Sequence, residues 1–329
     1  MRSGLVAAAI AAALLLAAPA GSGATGRRLV LVPLGTFPTA TANAEAAQLR
    51  RELGIRVSVA PRLRIPASAL DGTRRQLVAE RLSALVSGAH PREARDQGTA
   101  LLGLTTQDMY PSSSGFRWSF SNRSGDRLGV LSTARMNAHN YGLHANDWLL
   151  RRRLHKIALR NAAIVTLGRT VNRNTRSVLF ADLLSVDGLD AMEPRLAPGP
   201  YSAAKRRWLA GAAAVCDAYR REASQLPPLN TRPGFLAGLT KAIPIEVRAT
   251  TRLRRLHAAP GDADLVRRLL ADLDRQAAGD RAALADLKRS WSAPRLQRWQ
   301  VDNLSLNATA RALTLELGTR GCAALFRAA

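Results

Sequence analysis

Two kinds of apolar pattern follow one another along the chain. From residue 27 to about 197, short runs of leucine and β-branched residues are stopped by glycine and proline. From 201 to 329, apolar residues recur at helical spacing almost throughout, and a Pro-Gly-Pro sequence at 198–200 marks the boundary. Ahead of both lies an almost uninterrupted apolar run from Leu5 to Ala18, preceded by Arg2 and followed by Ala18, Pro19 and Ala20. That order reads as a secretory signal peptide, residues 1–20, cut after about Ala20. The run is shorter than the roughly 20 residues a spanning helix needs, which weighs against the alternative of an uncleaved anchor.

Within 27–197, the run around Leu29 to Pro33 predicts a buried strand ending in a turn at Gly35. Residues 44–53 predict a helix ended by Gly54. Ile55, Val57 and Val59 alternate with Arg56 and Ser58, the period of a half-buried strand. Leu77, Leu82, Leu85 and Val86 fall at helical spacings over 74–86. A strand through Leu104 is followed by a polar turn at 111–115. Phe116, Trp118 and Phe120 then occupy one face of a strand, Ser124-Gly125 turns the chain, and a last strand runs through Val130 and Leu131. Residues 154–168 are helical up to Gly168. Strands interleaved with helices predict an α/β domain with a mixed sheet.

Within 201–329, Trp208, Leu209, Ala212, Val215 and Tyr219 begin the helical pattern, and a second run reaches about His257 with an interruption at Pro244. A long helix capped by Asp262 carries a stripe of Val266, Leu269, Leu270, Leu273, Leu284, Leu287 and Trp291. After Pro294 a last helix runs to the end. The expectation is an all-α domain resembling a four-helix bundle.

Composition changes the picture in several ways. The 329 residues suffice for two domains. The formal net charge of +24 comes almost wholly from arginine, the bias of GC-rich bacterial coding. With export expected, anionic envelope surfaces, peptides and proteins are the partners this charge suits, and the arginine-rich segments Arg252 to Arg255 and Arg267-Arg268 are solvated faces first and anion-binding patches second. Aromatic residues make up 5% of the chain, and none interleave with a basic stretch, which argues against a nucleic-acid groove. Cys216 and Cys322 read as one disulfide in an exported chain, with two buried thiols and an intermolecular bridge as the alternatives. Closing so long a loop contributes at most roughly 4–5 kcal/mol in the chain-entropy account.

Several short strings then fall in a telling order. LGLTTQDMY at 102–110 precedes the aromatic segment and GVLSTARM at 129–136, while VPLG at 32–35 and RRQLVAERL at 74–82 lie upstream. Together these resemble the archaemetzincins, zinc metallopeptidases of the metzincin clan, over about residues 29–196. The resemblance implies a metzincin-like domain over 27–197, with zinc as the family's cofactor. It also implies a strand at Gly129, Val130, Leu131, Ser132, Thr133 and Ala134 that binds extended peptide by edge pairing.

The family's zinc motif places two histidines four apart on a helix, a glutamate after the first, and a third histidine beyond a glycine. Aligned on Gly168, those positions hold Asn161, Ala162, Val165 and Val171. The four cysteines that hold the family's second, structural zinc correspond to Asn172, Ser177, Met192 and Arg195. A catalytic zinc needs three strong ligands and an open position, and hydrolysis needs a general base. The expectation is therefore a non-catalytic relative with no cofactor, a zinc peptidase with an atypical site being the alternative. Another alternative makes the helical part an envelope-binding module carrying a relict peptidase domain.

The remaining candidates are weaker. His155, six residues before Asn161, points about 120° off the ligand face, for a surface role or a pairing with an acidic neighbour on its own helix. His139 and His144 lie in a polar loop that would hold a metal only with Asp147. His90 and His257 are isolated. Asp182, Asp187 and Asp190 read as turn and cap residues.

Overall fold

The computed structural model describes residues 26–227 and 231–326, so the export signal expected at 1–20 lies outside the described residues. In chain order the first part comprises β1 (Arg28–Pro33), α1 (Thr39–Leu53), β2 (Arg56–Val59), β3 (Leu70–Asp71), β4 (Gln76–Val78), α2 (Ala79–Ala89) and α3 (Pro91–Arg95). It continues with β5 (Thr99–Thr105), β6 (Met109–Tyr110), β7 (Ser121–Ser124), β8 (Leu128–Ser132), α4 (Asp147–Leu167) and α5 (Val186–Ala191). One sheet has the order β2-β1-β5-β8-β7. Its first four strands are parallel and β7 is antiparallel to β8. A smaller sheet joins β3, β4 and β6.

Alternation along β1 feeds two cores. Leu29 and Leu31 face α1 and α4, whereas Val30 and Val32 face α2, and all four are buried because helices cover both faces. Gly103 in β5 has a packing reason. A Cβ there would come within 3.0 Å of Val130 Cγ1 and 3.1 Å of Val86 Cγ2, so the glycine lets α2 approach the sheet. Gly54 ends α1 at φ 65° as expected, although that helix begins at Thr39, ahead of residue 44.

The structure corrects several expectations. The helix expected over 74–86 starts only at Ala79, because Leu77 and Val78 pair with Met109 and Tyr110 as strand β4. Phe116 to Phe120 form no strand. Glu80 at the start of α2 accepts the backbone N–H groups of Ser112 (3.0 Å) and Ser113 (3.2 Å) and both their hydroxyls, which pins this loop, and Phe116 is exposed. The hairpin arm is instead β7, with Gly125 turning at φ 68°. The strand at Gly129 to Ala134 is no edge either. Its β8 residues pair with β5 on one side and β7 on the other, and Thr133 and Ala134 turn away beyond it, so β7 is the sheet edge on this side.

The helical part comprises α6 (Ala203–Ala223), α7 (Arg232–Arg254), α8 (Ala263–Arg289), α9 (Ala293–Leu317) and the short α10 (Arg320–Ala323). α6 packs on α7, α7 on α8 and α8 on α9, around Trp208, Ala212, Leu253, Leu269 and Leu313. α7 runs through Pro244 without the expected break, and both the proline and Thr240, one turn before it, are exposed. Asp262 precedes α8 but makes no side-chain cap bond, and its carboxylate takes Lys205 Nζ at 2.7 Å. The last long helix stops at Gly318, φ 88°. The Cys216–Cys322 disulfide therefore joins α6 to α10 rather than to α9. Among the described residues no helix is long and apolar enough to cross a membrane.

Candidate functional site

The site is organised on α4. Asn146 caps its N-terminus by accepting from the Leu149 N–H at 3.0 Å. Gly168, left-handed at φ 63°, closes its C-terminus with N–H bonds from Gly168 to Ile164 O and from Arg169 to Ala163 O. The glycine on which the zinc motif was aligned thus makes the turn that motif requires.

The four aligned positions do not fit zinc. Asn161 is buried and its amide nitrogen donates to Ile157 O at 2.8 Å within its own helix, leaving one amide oxygen. Ala162 and Val165 are buried hydrocarbon packed into the core beneath the sheet. Val171, beyond Gly168, is 43% exposed and also carries no donor atom. One amide oxygen is far short of three strong ligands, and the general-base position has no titratable group. No hydrolytic step through zinc is derived from these residues.

A cleft of about 710 Å³ runs beside this face. It lies between α4, from which Arg160 and Asn161 line it, and β7 with the preceding loop, from which Phe116, Trp118 and Arg123 line it. Ser132 N–H bonds to Phe120 O at 2.9 Å, which fixes the ladder alternation and turns the N–H and C=O of Arg123 outward from the sheet. The Ser119 hydroxyl occupies the outward groups of Ser121, accepting from its N–H at 3.1 Å and donating to its carbonyl.

Behind the cleft, the positions aligned with the family's structural-zinc cysteines lie in one knot of chain. Ser177 is fully buried. Its hydroxyl donates to Leu196 O at 2.7 Å and accepts from Leu179 N–H (3.0 Å) and from the Asn172 amide (3.3 Å). Val178 N–H reaches Arg195 O at 3.2 Å, and Met192 is fully buried beside them. None of these side chains is a thiolate, so they do not fit a four-cysteine zinc. Arginines tie the segments instead. Arg176 Nε pairs with Glu193 at 2.8 Å, and Arg160 donates to the carbonyls of Val178 (3.0 Å) and Phe180. Burial and the nearby Arg123 charge lower the Arg160 guanidinium to about 10.

The same helix carries charges into the interior. His155 is buried, not at the surface, and its partners come from α1, not from α4. Glu45 lies at 2.9 Å from Nδ1 and Glu52 at 3.1 Å from Nε2. Burial opposes the imidazolium, but bonds to Glu45 and Glu52 outweigh it and push the group up to about 9. Arg153 and Asp190, both buried, form a two-point pair at 2.8 and 2.6 Å, so Asp190 is more than a turn residue. Asp187 takes Arg311 of α9 at 2.9 Å, and Asp182 is exposed at the cleft.

The outlying candidates do not converge. His144 Nε2 meets Asp302 at 2.6 Å, not Asp147, and His139 sits in a single helical turn at 138–141. Among the described residues no group of three or more histidines, cysteines or acids is placed to hold a metal ion. The arginine patches are partly neutralised on the protein itself, with Arg254 on Asp274 (2.6 Å) and Arg267 on Asp264 (2.8 Å).

The strings that carried the resemblance meet here as well. Arg135 Nε lies 3.0 Å from both oxygens of Asp108, and the Ser132 hydroxyl donates to Gln107 O at 2.6 Å, tying 102–110 to 129–136. Comparison with solved structures returns zinc peptidases. The chain is similar to an archaemetzincin from Archaeoglobus fulgidus, with 21% identity over 52% of this chain and 95% of that one and a TM-score of 0.42. It is also similar to a zinc-dependent peptidase from Methanocorpusculum labreanum (16% identity, 51% and 95% covered, TM-score 0.44) and to an archaemetzincin from Methanopyrus kandleri (23%, 54% and 91%, TM-score 0.39). No family model and no curated protein matches the chain.

Proposed function

We propose that this chain is an exported, non-catalytic relative of the archaemetzincins that binds extended peptide segments in the cleft between β7 and α4. The observation that carries the reading is the donor set at the aligned zinc positions, where the sole heteroatom-bearing side chain, Asn161, has its amide nitrogen committed to Ile157 O. The outward backbone groups of Arg123 on the sheet edge supply the pairing that peptide binding uses. Phe116 and Trp118 supply apolar surface beside them. The disulfide supports the export part of the reading.

The test is a peptide array probed with the mature chain and with Arg123→Pro, followed by mass analysis of bound peptides. Proline at 123 removes an outward donor and leaves the β8 ladder intact. Bound peptides should be recovered uncut, and the variant should lose at least tenfold in affinity. Stoichiometric zinc with chelator-sensitive cleavage would establish the enzyme alternative, and unchanged binding by Arg123→Pro would reject the β7 edge.

A further inference from the structure

The helical part holds a cavity of about 250 Å³, partly open to solvent, between α6, α7, α8 and α9. Its walls are mostly apolar, with Val215, Phe235, Leu239, Leu253 and Leu273 among them, but two acids meet on one wall. Asp280 of α8 is buried, and its Oδ1 accepts from Trp299 Nε1 at 2.6 Å and Asn303 Nδ2 at 3.2 Å. Glu246 of α7 has no such donors: its carboxyl hydrogen-bonds that of Asp280, and no N–H or hydroxyl group reaches its buried Oε2.

The hydrogen-bond pattern assigns the protons. Asp280 holds two donors suited to an anion, so Glu246 is the member that carries a proton when the cavity is empty. Burial first, then the Asp280 charge and the hydrogen bond to it, push Glu246 up to about 8, with Arg281 pulling the other way. Tyr219 of α6 faces the same pair and is raised above the ordinary phenol value by burial and by both carboxylates, so it stays a neutral phenol. In a chain of net charge +24, this is a pocket of negative charge.

The chemistry of the lining narrows the ligand. An anion meets two carboxyl groups, and a neutral apolar molecule leaves Glu246 Oε2 without a partner. Among the described residues no further acid, histidine or thiol joins the pair to complete a metal site. An engineered apolar cavity of roughly 150 Å³ holds benzene, so the larger volume here accepts a ring with a short chain. We propose that the cavity binds a small apolar primary amine, its ammonium taking the place of the proton that Glu246 and Asp280 share and its hydrocarbon part against Phe235 and Leu239. This site is separate from the β7 cleft and stands whether or not that cleft binds peptide.

Binding of the ammonium ionises Glu246 and releases its proton to solvent, so affinity rises with pH up to about 8. Calorimetric titration of the mature chain with 2-phenylethylamine, 2-phenylethanol and 3-phenylpropionate tests this. The amine should bind at least tenfold more tightly than the other two, gain about tenfold in affinity per pH unit between about pH 6 and 8, and release up to one proton in that range. Glu246→Gln should lose at least tenfold in amine affinity and the pH dependence with it. Ala242→Phe, which puts bulk into the cavity and leaves both acids in the chain, should abolish binding. Equal affinity for amine and alcohol, unchanged amine binding in either variant, or no amine binding at about 1 mM overturns the proposal.

Discussion

Lys156 of α4 and Glu316 of α9 meet at 3.0 Å where each side chain is almost fully buried, and this contact joins the sheet-bearing part of the chain to the helical part. The ammonium also donates to Leu189 O (3.2 Å) and Asp190 O (3.0 Å), so all three of its donors are used. Burial lowers the lysine from its ordinary value, while Lys156 and Arg152 together hold Glu316 below the usual carboxylate range despite its burial. Removing Glu316 strands Lys156, whereas without Lys156 the carboxylate keeps Arg152. Glu316→Leu should cost about 3–5 kcal/mol in urea unfolding, and Glu316→Leu with Lys156→Met should recover part of that loss. A cost under about 1 kcal/mol for the single variant would show the two parts to be held by other contacts.

His155 makes stability depend on pH. Its folded value, about 9, lies above the ordinary 6.5, so its contribution is complete below about pH 6.5 and is lost as pH rises through about 9. Thermal unfolding between pH 6 and 9.5 should show this decline in the parent chain. His155→Gln should be less stable at pH 6 and show a shallower decline. Parallel curves for parent and variant would contradict the assignment.

Glu246 acts in a neighbouring window, also with stability falling as pH rises. Its folded value, about 8, exceeds the ordinary 4.5, so the folded state binds the extra proton in between, and stability is lost from about pH 4.5 up through about 8. Glu246→Gln should remove that loss and stabilise the chain by about 1–3 kcal/mol at pH 8.5. The difference between variant and parent isolates this group from His155.

How much of this was legible varied with the range of the interactions involved. The apolar run of β1, the alternation in β2, Gly54 and Gly168 as helix ends, and the cysteine pairing are local or nearly unique signals, and they held. Phe116, Trp118 and Phe120 imitated a strand because their spacing of two is a strand's, but the loop is fixed by Glu80, a residue remote in sequence. Which strand lies at the edge depends on sheet order, and nothing local in Gly129 to Ala134 records that β7 covers it. The partners of His155 lie on α1, beyond reach of helix periodicity. The acid pair did leave a trace. Asp280 falls on the line of Leu273, Ala277, Leu284 and Leu287, an acid inside an apolar stripe, and Glu246 stands likewise between Ile243 and Thr250.

The knot at 172–196 offers a local test. Arg160 is the link between α4 and the carbonyls of Val178 and Phe180, so Arg160→Ala should cost about 1–3 kcal/mol and speed amide exchange at Val178 and Glu193. Unchanged exchange there would mean that Ser177 and the Arg176–Glu193 pair suffice.

Reduction of the Cys216–Cys322 disulfide, or replacement of both cysteines by alanine, should lower stability by about 2–5 kcal/mol in chemical unfolding. A smaller loss would mean that α10 is held on α6 chiefly by packing.

The two cysteines stand 106 residues apart, and α7, α8 and α9 all lie between them. The helical part is therefore a covalent lasso. A protease that nicks the chain once anywhere inside it, for instance between α6 and α7, releases no fragment. The cut protein would run at full mass on a gel until a reductant is added, and both halves would stay at each other's side with the chance to re-form the bundle.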